Sequence, residues 1–466
     1  MNIKHIDVEI PPDNPFQNCK LKREHYANIL TEIINAYRKG FVLAINNEWG
    51  TGKTTFVKMW QHKLDKRDYK TLYFNAWEND FDSTPLVAIM SELKQIAPNQ
   101  KLPKKLLEHG AILAKNILPG LIKAVAEKYI DTKVLAESIE NIFSAATEIM
   151  EKEVDEFNNK KKQLEDFKTA LREFVKEQGN GKPLIFIIDE LDRCKPDYAV
   201  ETLEKIKHFF SVEGIIFILS LDKKQLANSV KGYYGSDLID ADEYLRRIID
   251  IEYSIPEPDI NLFTRYLYDY YDFDSFFTTD ERWKYIELQK DREHFLEFAN
   301  ELFFEQKLSL RQQIKVFSHS RIFIKSFKLE NFIFPELLIF LIFLRIIRHD
   351  IYSKIQNKQY QNLQALADEI ETNLPILHLS DNRYSLIVEA RLIWMYDKFY
   401  SRKSILYVQK METKEAPELA LKSGIDDSEN NNEFIKCIEW IVNQRTSDVA
   451  LDYLLRKIDL IEMMVN

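Results

Sequence analysis

The stretch NEWGTGKTT, residues 47–55, lies between an apolar run and a helical one. It matches the phosphate-binding pattern G-x-x-x-x-G-K-[ST] except at Asn47, where the pattern has glycine. In such a loop, backbone N–H groups and a helix N-terminus bind phosphate oxygens, and the lysine adds a fixed positive charge. The flanks fit this context, because FVLAIN (41–46) is typical of a buried strand and FVKMWQHKL (56–64) of a helix.

Each residue type in the loop has a predicted part. Gly50 and Gly52 let the backbone approach phosphate, Lys53 is the cation, and the Thr54 hydroxyl is a ligand for Mg²⁺. Asn47 is expected to adopt a positive φ, so its replacement by glycine should leave turnover intact. The predicted nucleotide-contacting residues are Asn47, Glu48, Trp49, Gly50, Thr51, Gly52, Lys53, Thr54 and Thr55.

A second motif, LIFIIDELDR (184–193), places two carboxylates at the end of an apolar run. Asp189 is predicted to reach Mg²⁺ through water, and Glu190 to take the proton of an attacking water. A solvated turn would explain a lone acidic pair equally well. Together with Lys53 and Thr54, the pair instead indicates ATP and Mg²⁺ binding followed by hydrolysis.

Three further residues are candidates for the catalytic site, and each also has a purely structural alternative. Asp222, after the run IIFILSL, could sense the γ-phosphate or orient water, or it could cap the following helix. Arg246 and Arg247 could stabilise transition-state charge from a neighbouring subunit, or they could pair with nearby acidic residues on the surface.

The composition indicates an α-rich protein without a global cationic field. The 466 residues include 11 glycines and 14 prolines, few for the chain length, and the formal charge is −10. We therefore expect nucleic acid to bind only through a local patch, if at all. Cys19, Cys194 and Cys437 have no metal-like spacing and are expected to be reduced thiols of a cytoplasmic protein.

Apolar runs of strand length alternate with helical segments over the first 255 residues. This alternation predicts a parallel sheet with active groups at the carboxyl ends of its strands. The runs are 41–46, 71–77, 184–190, 215–221 and 248–255. A helical insertion of about a hundred residues separates the second and third runs. We expect it to form two long helices, as in a hairpin, with the charged segment DEFNNKKKQ (155–163) between them.

Two apolar stretches could be mistaken for membrane spans. Polar residues, a proline and a glycine interrupt 111–126, and 337–344 contains only eight residues. A span needs about 20 apolar residues, so both are predicted to be buried helices. Membrane association is therefore not expected.

The motifs together resemble those of the KAP P-loop NTPases over about residues 15–330. The shared segments are LKREHYANIL (21–30), WGTGKT (49–54), FNAW (74–77), IDELDRCKPDY (188–198), YLRRIIDIEYSIP (244–256) and LSLRQQIKVF (308–317). The family usually has glycine at position 47 and often aspartate at position 190. Glu190 is the better general base, so this departure favours hydrolysis.

The resemblance implies an α/β fold with an additional-strand parallel sheet of order 5-1-4-3-2, a long helical insertion and a C-terminal α-helical region. The expected domains are an NTPase core at 15–260 with the insertion at about 98–180, a lid-like region at 261–330 and a helical domain at 331–466. Family lids place an arginine over the nucleotide, and Arg311 matches that arginine. Many members sit at the inner membrane face, so a position peripheral to the inner membrane is the alternative to the cytoplasm. Bacterial members exclude or sense phages.

Three functional hypotheses follow. The first is a Mg²⁺-dependent ATPase that changes assembly or conformation in bacterial anti-phage defence. Its expected partners are further copies of itself and an effector protein encoded nearby. The second is a non-catalytic scaffold that nucleotide locks in one conformation, or a membrane-associated adaptor. The third is a nucleic-acid-processing ATPase, because RQQIKVFSHSRIFIKSF (311–327) mixes basic and aromatic residues.

Overall fold

The computed structural model describes most of the chain in two compact units, Val8–Pro256 and a second unit that begins at Glu257. The described residues are 8–81, 84–116, 139–209, 212–375, 383–400, 406–408, 418–419, 421–426, 428, 431–443 and 449–459. The predicted domain limits at residues 260 and 330 stay predictions.

A five-stranded parallel sheet forms the centre of the first unit. Its strands are β1 (Val42–Asn46), β2 (Lys70–Asn75), β3 (Leu184–Asp189), β4 (Ile215–Leu221) and β5 (Ile251–Tyr253). Their spatial order is β2-β3-β4-β1-β5, and every pairing is parallel. The order 5-1-4-3-2 that the family resemblance implies is therefore confirmed.

Alternate residues of the strands pack against two separate helical layers, as the two-residue period of a strand requires. One face, which includes Ile185 and Ile187, packs with Phe56 and Trp60 of the helix that follows the glycine loop. The other face packs with helices later in the chain. The central strands β3 and β4 are fully buried because both faces of the sheet are covered.

The helices of the first unit connect the strands on both faces. They are α1 (Glu24–Ala36), α2 (Lys53–Asp65), α3 (Pro85–Ile96), α4 (Lys104–Asn116), α5 (Ile139–Gly179), α6 (Pro196–Phe209), α7 (Lys223–Tyr234) and α8 (Ala241–Arg246). Short 3₁₀ turns follow β2 at Trp77–Asn79 and β3 at Leu191–Arg193. The runs 71–77 and 248–255 are longer than strands β2 and β5, which they predicted. Strand β2 begins one residue before its run, at Lys70.

The insertion between β2 and β3 differs from the expected hairpin of two long helices. Helix α5 continues for 41 residues through the charged segment 155–163, so the predicted break there is wrong. That segment contains neither proline nor glycine, and its lysines, glutamine and glutamate favour helix. Phe167 and Phe174 of α5 are buried in the core beside Leu106 of α4. The C-terminal half of α5 is therefore part of the core, while residues 117–138 lie outside the described residues.

The second unit is mainly helical. Its helices are α9 (Ile260–Tyr270), α10 (Asp274–Phe277), α11 (Asp280–Trp283), α12 (Asp291–Glu305), α13 (Leu310–Ile324), α14 (Pro335–Ile347), α15 (His349–Gln356), α16 (Leu363–Glu371), α17 (Arg383–Tyr400), α18 (Asn432–Val442) and α19 (Leu451–Ile458). A two-stranded antiparallel ribbon joins β6 (Tyr407–Val408) to β7 (Glu418–Leu419).

The apolar stretch 337–344 lies within α14, and all eight side chains are buried. The prediction of a buried helix is confirmed for this stretch, whereas most of 111–126 lies outside the described residues. Within the described part of the chain, none of the helices combines the length and the apolar character that crossing a membrane requires.

Candidate functional site

The glycine loop joins β1 to α2 at the carboxyl edge of the sheet. Gly50 and Gly52 have φ angles of 83° and 81°, which glycine adopts without strain. Gly52 is the N-cap of α2, and Lys53 is its first residue. The Lys53 ammonium donates to the carbonyls of Asn47 and Glu48, the latter at 3.0 Å. The loop is therefore closed by its own lysine, and its two left-handed glycines give the backbone turns of an anion-binding loop.

Asn47 does not have the positive φ that was predicted for it, and this prediction is wrong. Its side chain instead bonds to the backbone of Ile255 beyond β5. Nδ2 donates to the Ile255 carbonyl at 2.8 Å, and Oδ1 accepts from the Ile255 N–H at 2.9 Å. The backbone N–H of Asn47 donates to Leu221 at the end of β4. Asn47 thus extends the sheet, while the two glycines supply the left-handed turns.

Asp189 ends β3 and is 1% exposed. Its Oδ2 accepts from the Tyr73 hydroxyl at 2.9 Å, and its Oδ1 from the Glu190 N–H at 3.0 Å. Ser220 of β4 pairs in register with Asp189, and its buried hydroxyl has no bonding partner within the described structure. A carboxylate and an unused hydroxyl therefore lie side by side at the strand ends.

Glu190 has a left-handed backbone conformation, with φ of 61° and ψ of 24°. Its Oε1 lies 2.6 Å from Arg193 Nη1, and its Oε2 accepts from Asn75 Nδ2 at 3.2 Å. Burial raises the pKa of Glu190, and the Arg193 charge opposes that shift. The predicted general base is thus bound by a cation and an amide.

Asp192 connects the glycine loop to the end of β4. Its Oδ2 accepts from Trp49 Nε1 at 2.5 Å and from the Asp222 N–H at 3.0 Å. Burial raises the pKa of Asp192, and the bond from Trp49 opposes that shift. Asp222 itself caps α7, since its Oδ1 accepts from the Lys224 and Gln225 N–H groups. The capping alternative for Asp222 is therefore observed.

The charges around Lys53 define the electrostatics of the site. Burial lowers the pKa of Lys53, and the carboxylates of Asp192, Asp222 and Asp189 oppose this shift. Lys53 is 8% exposed and Asp222 is 7% exposed. One buried ammonium thus acts together with three carboxylates that follow β3 and β4, an arrangement suited to a metal–phosphate ligand.

Arg23, the N-cap of α1, supports the loop from outside. Its guanidinium donates to the Thr51 carbonyl at 2.8 Å and is 4% exposed. Burial lowers the pKa of Arg23, and its Nε is a buried donor without a partner in the described chain. Arg23 therefore fixes the loop at the residue before Gly52.

The remaining arginine candidates lie on the surface. Arg246 and Arg247 are 62% and 76% exposed, and each pairs with Glu243, at 3.3 Å and 3.6 Å. The surface-pairing alternative is therefore observed for both. Arg311 is exposed in the first turn of α13, in the second unit, and its approach to a nucleotide stays a prediction.

The donor set suits Mg²⁺ bound jointly with a nucleotide. Thr54 follows Lys53 at the start of α2, and with Asp189 it offers the hard oxygen ligands that Mg²⁺ prefers. No group of three or more His, Cys, Asp and Glu side chains in the described residues is arranged to hold a metal by itself.

The profile of the KAP family P-loop domain matches residues 23–374 of the chain. The chain belongs to the KAP family of P-loop NTPases. The match covers both the glycine loop and Asp189, and it continues into the second unit. The fold class implied by the resemblance is thereby confirmed together with the observed sheet order.

Other similarities are more distant. An uncharacterized protein of Methanocaldococcus jannaschii is 32% identical over 177 residues, which cover 33% of this chain and 90% of that protein. The ORC2 protein of Aeropyrum pernix, solved as ADPNP and ADP complexes, is 13% identical with a TM-score of 0.35, over 95% of this KAP chain and 94% of that chain. AMPPCP-bound DnaA of Aquifex aeolicus is 9% identical with a TM-score of 0.24, and the match covers 75% of this chain and 93% of that chain.

Six residues of the site had no assigned role in the sequence analysis. They are Arg23, Tyr73, Asn75, Asp192, Arg193 and Ser220. Arg23 and Asp192 lie within segments that resemble the family, so the segments themselves were a signal. Asn75 and Ser220 could be placed beside Asp189 only from strand register, because both pair with Asp189 from neighbouring strands. Tyr73 pairs with Ile187 instead, and only its hydroxyl reaches Asp189.

Proposed function

We propose that the protein binds ATP with Mg²⁺ and hydrolyses it. The observation that carries this proposal is a glycine loop that is closed by buried Lys53 and whose Trp49 bonds to Asp192, at the same sheet edge as Asp189. Lys53 and the loop N–H groups would bind the phosphates, and Thr54 and Asp189 would hold the metal. Mg²⁺ would neutralise charge that develops on the phosphates.

Glu190 would act as general base on the attacking water. Its carboxylate follows Asp189 directly and is 13% exposed, so it is close to the metal site and shielded from bulk water. The proton of the water passes to Glu190 as the water oxygen attacks the γ-phosphorus, and ADP leaves with the bridging oxygen. This division of labour assigns phosphate binding to Lys53 and turnover to Glu190.

The proposal is tested with two variants of the full chain and two matched controls. Lys53→Ala should abolish ATP binding, and Glu190→Gln should reduce hydrolysis about 100-fold or more while binding persists. Lys66→Ala changes an exposed lysine at the end of α2, and Glu213→Gln an exposed glutamate in the turn before β4. Phosphate release equal in the wild type and all four variants would refute the proposal.

A nucleotide-locked scaffold is the second candidate. The bonds from Arg193 and Asn75 to the two Glu190 oxygens favour it, because the Arg193 charge stabilises the unprotonated carboxylate and so lowers its basicity. Single-turnover measurements separate the candidates, since a scaffold would bind Mg²⁺–ATP and return it intact. ATP recovered unchanged after many binding lifetimes would support the scaffold.

We further propose that hydrolysis changes self-assembly and that the context is defence against phages. The exposed arginines 246 and 247 support the first part, since a second copy could receive them at its nucleotide. The second part rests on the family resemblance. Light scattering with and without Mg²⁺–ATP tests assembly, and plaque counts on bacteria carrying wild type or Lys53→Ala test defence.

A further inference from the structure

The loops that follow β2 and β3 are bonded to each other beside the candidate site. The Ala76 N–H donates to the Asp189 carbonyl at 2.9 Å. Lys195 donates twice to Asp80, from its N–H at 3.3 Å and from its ammonium at 3.2 Å. The FNAW segment (74–77) spans the end of β2 and the start of the first loop, and the proposed chemistry does not otherwise use it.

Within this pair of loops, both oxygens of Glu190 are already bonded. Arg193 lies 2.6 Å from one oxygen, and the Asn75 amide lies 3.2 Å from the other. A general base must offer a lone pair to the water whose proton it takes. An arginine on the same carboxylate competes for that lone pair and stabilises the unprotonated form.

Arg193 is in turn covered by an exposed aromatic ring. Its guanidinium carbon lies 5.4 Å from the centre of the Trp77 ring, within cation–π distance. Trp77 is 50% exposed, and Arg193 is 20% exposed. The Asn75 side chain fixes the turn below the ring, since its Oδ1 accepts from the Trp77 N–H at 3.1 Å. Trp77, Arg193 and Glu190 thus form a chain of contacts from the surface to the base.

We propose that Arg193 and Trp77 are positioning residues that restrain Glu190, and that moving Trp77 away releases the base for hydrolysis. This inference rests on the proposed ATPase function. The FNAW segment then has a role, because Asn75 and Trp77 both act on the carboxylate that performs the chemistry. Displacement of the exposed Trp77 ring from Arg193 would thereby control turnover without any contact to the nucleotide.

Arg193 also acts on Lys53, whose pKa it lowers. A change at Arg193 could therefore alter nucleotide binding as well as turnover. The test must measure Kd and kcat separately, and only kcat bears on the restraint of Glu190.

The experiment compares ATP hydrolysis at saturating Mg²⁺–ATP by full-length wild type, Arg193→Gln, Trp77→Ala and their double variant. Removing the arginine should raise kcat about tenfold, the factor expected for releasing one charge-assisted hydrogen bond. Removing the ring should raise kcat about threefold. The double variant should equal Arg193→Gln alone, because the ring acts only through the arginine.

Controls separate this restraint from general effects on folding. Trp440→Ala removes another tryptophan that is 50% exposed and lies near an arginine, Arg391, and it should leave kcat unchanged. Arg193→Lys keeps a cation and should give an intermediate kcat. Thermal unfolding of each variant shows whether it is folded, and Arg193→Lys replaces Arg193→Gln in the comparison if the latter does not fold.

The outcomes also separate failure of this inference from failure of the proposed function. If the wild type hydrolyses ATP, Glu190→Gln does not, and Arg193→Gln is slower than the wild type, only the restraint is refuted. Additive effects of Trp77→Ala and Arg193→Gln would likewise refute it. If every protein binds ATP and none hydrolyses it, Arg193→Gln included, the ATPase function is refuted and the restraint with it.

Discussion

Replacing Asn47 by glycine should weaken the sheet while leaving the chemistry in place. Glycine is the usual residue at this position, and the loop already has its left-handed turns at Gly50 and Gly52. The two bonds between the Asn47 side chain and Ile255, at 2.8 Å and 2.9 Å, would be lost. We therefore expect a stability defect with unchanged kcat.

The size of the defect follows from these bonds. Each neutral hydrogen bond contributes about 1 kcal/mol, and Ile255 is 3% exposed, so water replaces the lost partners poorly. The added backbone freedom of glycine in the unfolded chain costs about 0.5–1 kcal/mol more. Asn47→Gly should thus lower the free energy of unfolding of the first unit by about 2–3 kcal/mol. Asn47→Ala, the matched control, should lower it by about 2 kcal/mol.

Hydrogen exchange provides both the global and the local measurement. Peptides from β1 and β3 in increasing urea report the unfolding free energy of the first unit. The amide of Ile255 reports the lost bond directly, since its N–H donates to Asn47 Oδ1. Faster exchange at Ile255 with phosphate release within about twofold of the wild type is the expected result.

Two results would refute this reasoning. Equal unfolding free energies for wild type, Asn47→Gly and Asn47→Ala, with Ile255 equally protected, would show that the side-chain bonds do not stabilise the sheet. A large gain in kcat for Asn47→Gly would show that asparagine impairs the loop.

Three further predictions concern single side chains. Arg23→Met should weaken ATP binding about tenfold in calorimetry, because the loop loses the charged donor to Thr51, whereas Arg23→Lys should weaken it less. Ser220→Ala should leave thermal stability equal or higher, since the buried hydroxyl has no partner among the described groups. Its kcat should fall about tenfold if that hydroxyl orients water on the metal beside Asp189. An unchanged kcat would contradict that role. Glu389 is fully buried, and burial raises its pKa to about 9. Because its pKa is raised in the folded state, the free energy of unfolding is greatest at acidic pH and falls as the pH rises toward 9. Between pH 6 and 8, the wild type should lose about 2–3 kcal/mol more of this free energy than Glu389→Gln in urea titrations. Equal losses would contradict the prediction.

The sequence determined the local elements whose signal is short-range. The apolar runs had strand composition, and Gly50, Gly52 and Lys53 had the spacing of a loop between strand and helix. Burial of β3 and β4 on both faces followed from their unbroken apolar character. The strand order came from the family resemblance, because the pattern of runs predicts a parallel sheet without fixing which strands are neighbours.

The predicted hairpin in the insertion shows the limit of periodicity. Charged residues between two apolar runs looked like a connection, but a charged segment without proline or glycine continues as helix when the flanking turns are helical. Periodicity reports which face is apolar, and it does not report where a helix ends.

What only the tertiary structure decided is how polar groups distant in sequence share bonds. Asn47 is separated by 208 positions from Ile255, and Trp49 by 143 from Asp192. The sequence identified Glu190 as a carboxylate of the right kind, yet its bond to Asn75, 115 positions away, follows from the pairing of β2 with β3. The ion pair with Arg193 follows from the tight turn after β3. A motif fixes which groups are present, whereas the geometry of the sheet edge fixes their partners, and the partners determine whether a carboxylate is free to act as a base.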